Sequence, residues 1–95
     1  MPTYILLSKV TDEGAETIKK NPHRIKEVNE EIEDYGAHVK EQYAVLGDYD
    51  FVNIVEAPDE ETIAKVSVEL GARGTVKIET LTALPVDDFI EKLKE

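Results

Sequence analysis

Residues 47–59 read Gly47-Asp48-Tyr49-Asp50-Phe51-Val52-Asn53-Ile54-Val55-Glu56-Ala57-Pro58-Asp59, and three changes of backbone character lie inside that stretch. Gly47 to Asp50 is a short turn-forming run, since Gly supplies positive φ and Asp bonds nearby backbone amides. Residues 51–57 predict a strand, because Phe, Val and Ile suit a pleated surface. Pro58-Asp59-Glu60-Glu61 then predicts a helix start, with Asp59 as N-cap and acids in the first turn. The strand is apolar on both faces, whereas a strand with one face in water alternates. It therefore belongs inside a sheet covered on both sides.

Working towards the N-terminus, residues 37–46 predict a strand with Val39, Tyr43 and Val45 on one side and His38, Lys40 and Gln42 on the other. The short turn after it makes the two strands an antiparallel hairpin. Gly36 ends a helix over 22–35, whose Ile25, Val28, Ile32 and Tyr35 share one face. Asn21-Pro22 separates it from a shorter helix at 12–19. Residues 3–10 form the first strand, with Ile5 and Leu7 on one face and Tyr4, Leu6 and Val10 on the other. Towards the C-terminus, Ile63, Val66 and Leu70 face the core from a helix that ends at Gly71 or Gly74. Residues 75–84 predict a strand, Pro85 breaks it, and 86–94 make a last helix with Val86, Phe89, Ile90 and Leu93 on its apolar face. The order is βαββαβ plus a C-terminal helix. With right-handed crossovers this is an α+β, ferredoxin-like fold: a four-stranded antiparallel sheet with helices on one side.

Ninety-five residues without a linker or low-complexity run predict a single domain over 1–95. The formal charge is −10, from 21 acidic and 11 basic groups. That balance argues against nucleic acid and against an anionic membrane, both of which need Lys/Arg-rich patches. There is no Cys, and His23 and His38 are far apart, so neither disulfide nor zinc cluster is expected. The apolar start Met1–Leu7 has no basic segment before it and Lys9 ends it, so it reads as a strand rather than a signal peptide. No apolar run nears the ~20 residues of a membrane span, and a cytoplasmic location is expected.

Helices on one side leave the other sheet face bare, yet strands one and three carry apolar groups on both. Soluble monomers avoid an exposed apolar patch of that kind. The C-terminal helix is too short to cover a sheet, so a second copy packed face to face is expected, as a homodimer or higher homo-oligomer with that helix helping to lock it. Candidate ligand-contacting residues follow from this. Tyr49 and Asp50 lie in the turn, where Gly47 and Asp50 also have a purely structural use. The turn is not an EF-hand, since Asn53 and Asp59 stand where its Gly and Glu should be. Asn53, Glu56, Thr80 and Thr82 are polar groups in apolar strands. They could line a small-molecule pocket between two sheets, or simply bond one another. His38 lacks a carboxylate partner at the right parity, and the helix dipole accounts for Arg73 near a helix C-terminus. No Ser/His/Asp set and no phosphate loop are visible.

Several short motifs occur in order: Thr3-Tyr4, Thr11-Asp12-Glu13-Gly14, Pro22-His23-Arg24, Gly47-Asp48-Tyr49-Asp50, Glu56-Ala57-Pro58-Asp59-Glu60, Leu70-Gly71, Gly74-Thr75-Val76 and Thr80-Leu81. Together they resemble the GYD-domain family across the chain. Gly47, Tyr49 and Asp50 match its motif, and Glu56 and Thr80 its flanking pattern. The resemblance implies a ferredoxin-like domain of the dimeric α/β-barrel type and carries no catalytic residues. Gly47 to Leu84 is also similar to the effector-binding domain of Lrp/AsnC regulators, here without a helix-turn-helix, which implies ligand sensing or assembly rather than DNA binding. The expected function is a homo-oligomeric small-molecule-binding or regulatory module, without catalysis, cofactor or metal. The alternatives are a cofactor-independent enzyme of the same barrel type, monooxygenase- or isomerase-like, using Asp50, His38 or Tyr43 for proton transfer, and a purely structural assembly unit.

Overall fold

A computed structural model describes residues 1–95. Its elements are β1 (Thr3–Val10), α1 (Asp12–Lys20), α2 (Arg24–Asp34), β2 (His38–Ala44), β3 (Phe51–Glu56), α3 (Glu60–Gly71), β4 (Val76–Ala83) and α4 (Val86–Leu93). The strands form one antiparallel sheet in the order β2-β3-β1-β4, the ferredoxin-like arrangement expected. β1 and β3, the strands apolar on both faces, occupy its centre.

The core lies on one face. Tyr4, Leu6 and Val55 from the sheet pack with Ile32 of α2 and Ile63, Val66 and Leu70 of α3, all buried. Asp59 caps α3 as expected, accepting from the Thr62 amide at 2.8 Å. A bond from the Thr62 hydroxyl, and then this one from the amide, hold the Asp59 carboxyl below the usual carboxylate range. Pro22 does not open α2 directly. One turn intervenes, with the Arg24 amide on the Asn21 carbonyl at 3.0 Å, and α2 starts at Arg24.

The N-terminus of α1 is clasped against the start of β4. Thr11 Oγ1 accepts from the Gly14 amide at 3.1 Å and donates to the Gly74 carbonyl at 2.8 Å, while the Thr11 amide reaches the Thr75 carbonyl at 3.0 Å. Gly14 sits so close that a Cβ there would lie 2.1 Å from the Thr75 carbonyl oxygen. Gly74 has φ +77, which a side chain resists. The Thr11–Gly14 and Gly74–Thr75 motifs are thus two halves of one contact.

One ion cluster ties the helices together. Glu31 of α2 accepts from Arg24 Nη1 at 2.9 Å and pairs with Arg73, just beyond α3. Burial alone would raise the Glu31 carboxyl, but the bonds from Arg73 and Arg24 outweigh it and hold it below the ordinary Glu value. Arg73 also donates to the Tyr35 hydroxyl at 3.4 Å, so it bridges two helices rather than merely meeting the dipole of its own.

β2 carries a register shift between Val39 and Glu41. The bulge reverses the alternation read from the sequence: Val39 pairs with Val55 and Gln42 with Asn53, so both face the helices, while Tyr43 pairs with Val52 and faces away. Gln42 exchanges amide hydrogen bonds with Asn29 of α2 at 2.9 and 3.2 Å.

Two predictions test these contacts. Gly14→Ala overlaps backbone that cannot yield and should cost about 1–3 kcal/mol, lowering the melting temperature by several degrees. Gly71→Ala, where a Cβ meets nothing, should be neutral or slightly stabilising, so the two variants should differ in thermal denaturation although each adds one methyl. Glu31→Gln should cost about 1–2 kcal/mol at neutral pH. Because the folded Glu31 pKa is depressed, its stabilisation is complete above the unfolded value of about 4.3 and fades as pH falls through the folded one. Denaturation curves of wild type and variant should therefore converge in acid.

Candidate functional site

Two regions are candidates for a functional surface. One is the sheet face opposite the helices, and the other is a cavity between the sheet and the helix layer.

The open face is built by strand parity. Ile5 and Leu7 of β1, Val52 and Ile54 of β3, and Leu81 and Ala83 of β4 share it, because each is a direct cross-strand partner of another in the set or lies two residues from one. No helix covers them. Leu81 is 40% exposed, and α4 has no buried residue, with Phe89 at 49% and Leu93 at 68%. The molecule accordingly measures 52 × 29 × 19 Å. Around the apolar centre stand Lys9, Lys40 and Lys77 and, in matching number, Glu41, Glu56 and Glu79. In a chain of net charge −10, this face is balanced.

The six sequence-derived ligand candidates divide between the two faces, with Thr82, the partner of Tyr4, on the helix side. Tyr49 belongs to the open side: its hydroxyl donates to Glu79 Oε2 at 3.2 Å, and its ring centroid lies 5.6 Å from the Lys9 ammonium. The bond to Glu79, followed by burial, raises the Tyr49 phenol above its ordinary value. Glu56 is on the same face, 3.9 Å from Lys40 Nζ. Asp50 is a backbone clasp. Its Oδ2 accepts from the Val10 amide at 2.9 Å, its amide donates to the Ser8 carbonyl at 2.8 Å, and its carbonyl accepts from Val45. Gly47, at φ +126, lets the chain turn into that clasp. Asn53 and Thr80 face the helices instead, opposite Leu6 in the register. Thr80 shares a hydroxyl hydrogen bond of 2.7 Å with Ser67 of α3.

His38, read as lacking a carboxylate, has one: Nδ1 pairs with Glu33 from the end of α2. The Tyr43 hydroxyl donates to Glu41 at 2.5 Å, and that bond raises its pKa. Both pairs are exposed at the sheet edge, and neither lines the cavity. The partners Glu33 and Glu79 went unnoticed in the sequence because parity along one strand says nothing of what a neighbouring element brings.

The cavity has a volume of about 310 Å³ and lies between the inner sheet face and the helices. Val10, Ile18, Ile25, Val28 and Phe51 supply apolar wall, and Asn53, Arg24 and Arg73 are its notable polar residues. No group of His, Cys, Asp and Glu is arranged to hold a metal ion, and no helix is long and apolar enough to cross a membrane.

Known proteins share this architecture. The solved structure of FFRP-DM1 superposes with a TM-score of 0.63 at 21% identity, over 88% of this chain and 100% of the other. That of TTHA0845 from Thermus thermophilus gives 0.57 at 28% identity, over 90% and 95%. A Thermus thermophilus protein named glutamine synthetase and cystathionine beta-lyase binding protein is 60% identical over 95 residues, 99% of this chain and 100% of that one. The GYD domain model matches residues 4–93, which include the Gly47–Asp50 turn, the Thr11–Gly14 clasp and its Gly74–Thr75 counterpart. By that match and by the full-length relative, the chain belongs to the GYD domain family.

Proposed function

We propose that the chain is a non-catalytic regulatory module that assembles with copies of itself and acts by docking on enzymes. The carrying observation is the 60% identity, end to end, with a relative named for binding glutamine synthetase and cystathionine beta-lyase. The open face of the sheet supports the same reading. Its apolar centre and the unpartnered α4 are surfaces that a soluble protein ordinarily covers. A face on which Lys9, Lys40 and Lys77 are matched by Glu41, Glu56 and Glu79 can meet a second copy of itself without net like-charge repulsion. Tyr49 and Glu56 then belong to the contact surface, and Asp50 holds its edge in shape. The exposed pairs His38–Glu33 and Tyr43–Glu41 have no cavity beside them, which favours docking over proton-transfer chemistry.

Native mass spectrometry of the full chain at micromolar concentration should show a dimer or a multiple of it. Leu81→Lys, which places a charge in the apolar centre, should weaken self-association at least tenfold while leaving the circular dichroism spectrum intact. Wild-type monomer at that concentration would remove the self-assembly half of the proposal. The docking half is measured separately, by co-elution with glutamine synthetase and cystathionine beta-lyase purified from Thermus thermophilus. Binding of either enzyme is expected, and failure with both would sink it.

A further inference from the structure

The cavity between sheet and helices stands apart from the docking surface, and its polar groups are unusual for a packing gap. Asn53 is only 8% exposed. Its Nδ2 donates to the Leu6 carbonyl at 3.3 Å and to Ser8 Oγ at 3.4 Å, which leaves Oδ1 buried with no hydrogen-bond partner. A buried acceptor left without a partner is destabilising, and no group in the fold supplies one. Asn29 and Gln42, also lining the cavity, satisfy each other, and Glu31 Oε2, the other buried oxygen without a hydrogen bond, is ion-paired with Arg73, so Asn53 Oδ1 is left without any partner.

The charges around the same cavity are equally particular. The chain has only two arginines, Arg24 and Arg73, and both line it. Their side chains are about two-thirds covered, at 33% and 31% exposure, which puts them nearer its mouth than Asn53. Both converge on one carboxylate, Glu31. The second acid in reach, Glu27, lies 3.4 Å from Arg24 and is half exposed. Each guanidinium carries five N–H donors, so converging on Glu31, with one longer bond each to Glu27 and Tyr35, leaves donors unspent. Arginine is the residue suited to a further carboxylate in that setting, and lysine, far commoner in this chain, is not used there. Most of the remaining lining is apolar, Val10, Ile25, Val28 and Phe51 among it.

We propose that this cavity is a binding site for a small carboxylate with an apolar body and a hydrogen-bond donor at its far end. Arg24 and Arg73 take the carboxylate and Asn53 Oδ1 takes the donor. The volume, about 310 Å³, lies at the lower end of ligand sites and sets the size at that of an amino acid or a small aryl acid. Because Arg24 and Arg73 also tie α2 to the end of α3 through Glu31, an occupant stiffens the helix layer, which lies across the sheet from the docking face.

The test is an amide NMR titration of the full chain with 4-hydroxyphenylacetate, which carries a carboxylate, an aryl body and a terminal hydroxyl. Saturable shifts are expected below about 10 mM, centred on Val28, Asn53 and Arg73. 4-Hydroxyphenylethanol, without the carboxylate, should bind at least tenfold more weakly, and phenylacetate, without the donor, severalfold more weakly. Val28→Phe, which fills the cavity, should abolish the shifts in a protein that circular dichroism shows to be folded. Absence of saturable shifts, shifts confined to the open sheet face, or equal binding of the alcohol would each overturn the proposal. So would a Val28→Phe variant that melts higher while still binding the probe unchanged. None of these readouts depends on a protein partner or on the oligomeric state.

Discussion

β1 and β3 run through the middle of the sheet and carry apolar side chains on both of their faces, while the folded chain provides helices for only one. The rest of the structure depends on that imbalance. On the covered side, Tyr4, Leu6 and Val55 meet α2 and α3 and form a small closed core. On the other, Ile5, Leu7, Val52 and Ile54 are shielded only by one another and by their neighbours in the sheet. α4 does not resolve the imbalance, since it adds a second apolar surface without burying a residue. Within residues 1–95 two surfaces thus stay uncovered, the open sheet face and the apolar side of α4. Apolar surface of this kind is what the proposed self-assembly and docking would cover.

The family's signature segments are explained by backbone holding, without any chemistry. Gly47 at positive φ and the Asp50 carboxylate on the Val10 amide fasten the β2–β3 turn to the end of β1. Thr11, Gly14, Gly74 and Thr75 fasten α1 to the start of β4. Both clasps sit at the same end of the sheet, where β1 stops and β4 begins. Tyr49 alone among the turn residues reaches a charged side chain on the open face, through Glu79. It is the point at which the turn touches the open sheet face.

The fold was legible because its signals are local. Asp59 and Pro58 mark the α3 start, the double-faced strands mark the sheet centre, and Ile63, Val66 and Leu70 were core by periodicity alone. What misled was the bulge in β2. One extra residue between Val39 and Glu41 exchanges the faces of everything after it, so Gln42 points inward and Tyr43 outward. The site was less legible for a related reason. Asn53 and Thr80 were read correctly as polar groups in apolar strands, but which face they occupy depends on register with β1, and that is a long-range fact. In the cluster of Arg24, Glu31 and Arg73, helical spacing puts the first two on one face of α2, but Arg73 comes from the other half of the chain and no spacing rule brings it there.

Charge decides which surface can meet a second acidic chain. At −10 per copy, two approaching copies repel, though ions at physiological strength screen that repulsion beyond about 8 Å. The solvent side of α2, with Glu27, Glu30, Glu33 and Asp34, would concentrate like charge at a contact. The open sheet face would not, because its lysines and glutamates balance and its centre is apolar. The same reasoning separates the two proposed sites. A protein partner is held where charge is neutral and area is large, and a small anion is held where the only arginines gather. The acidic surplus spread over the rest of the surface then repels free acids generally, so a carboxylate that enters the helix-side cavity must gain its affinity inside it, from Arg24, Arg73 and the displaced water of an apolar wall.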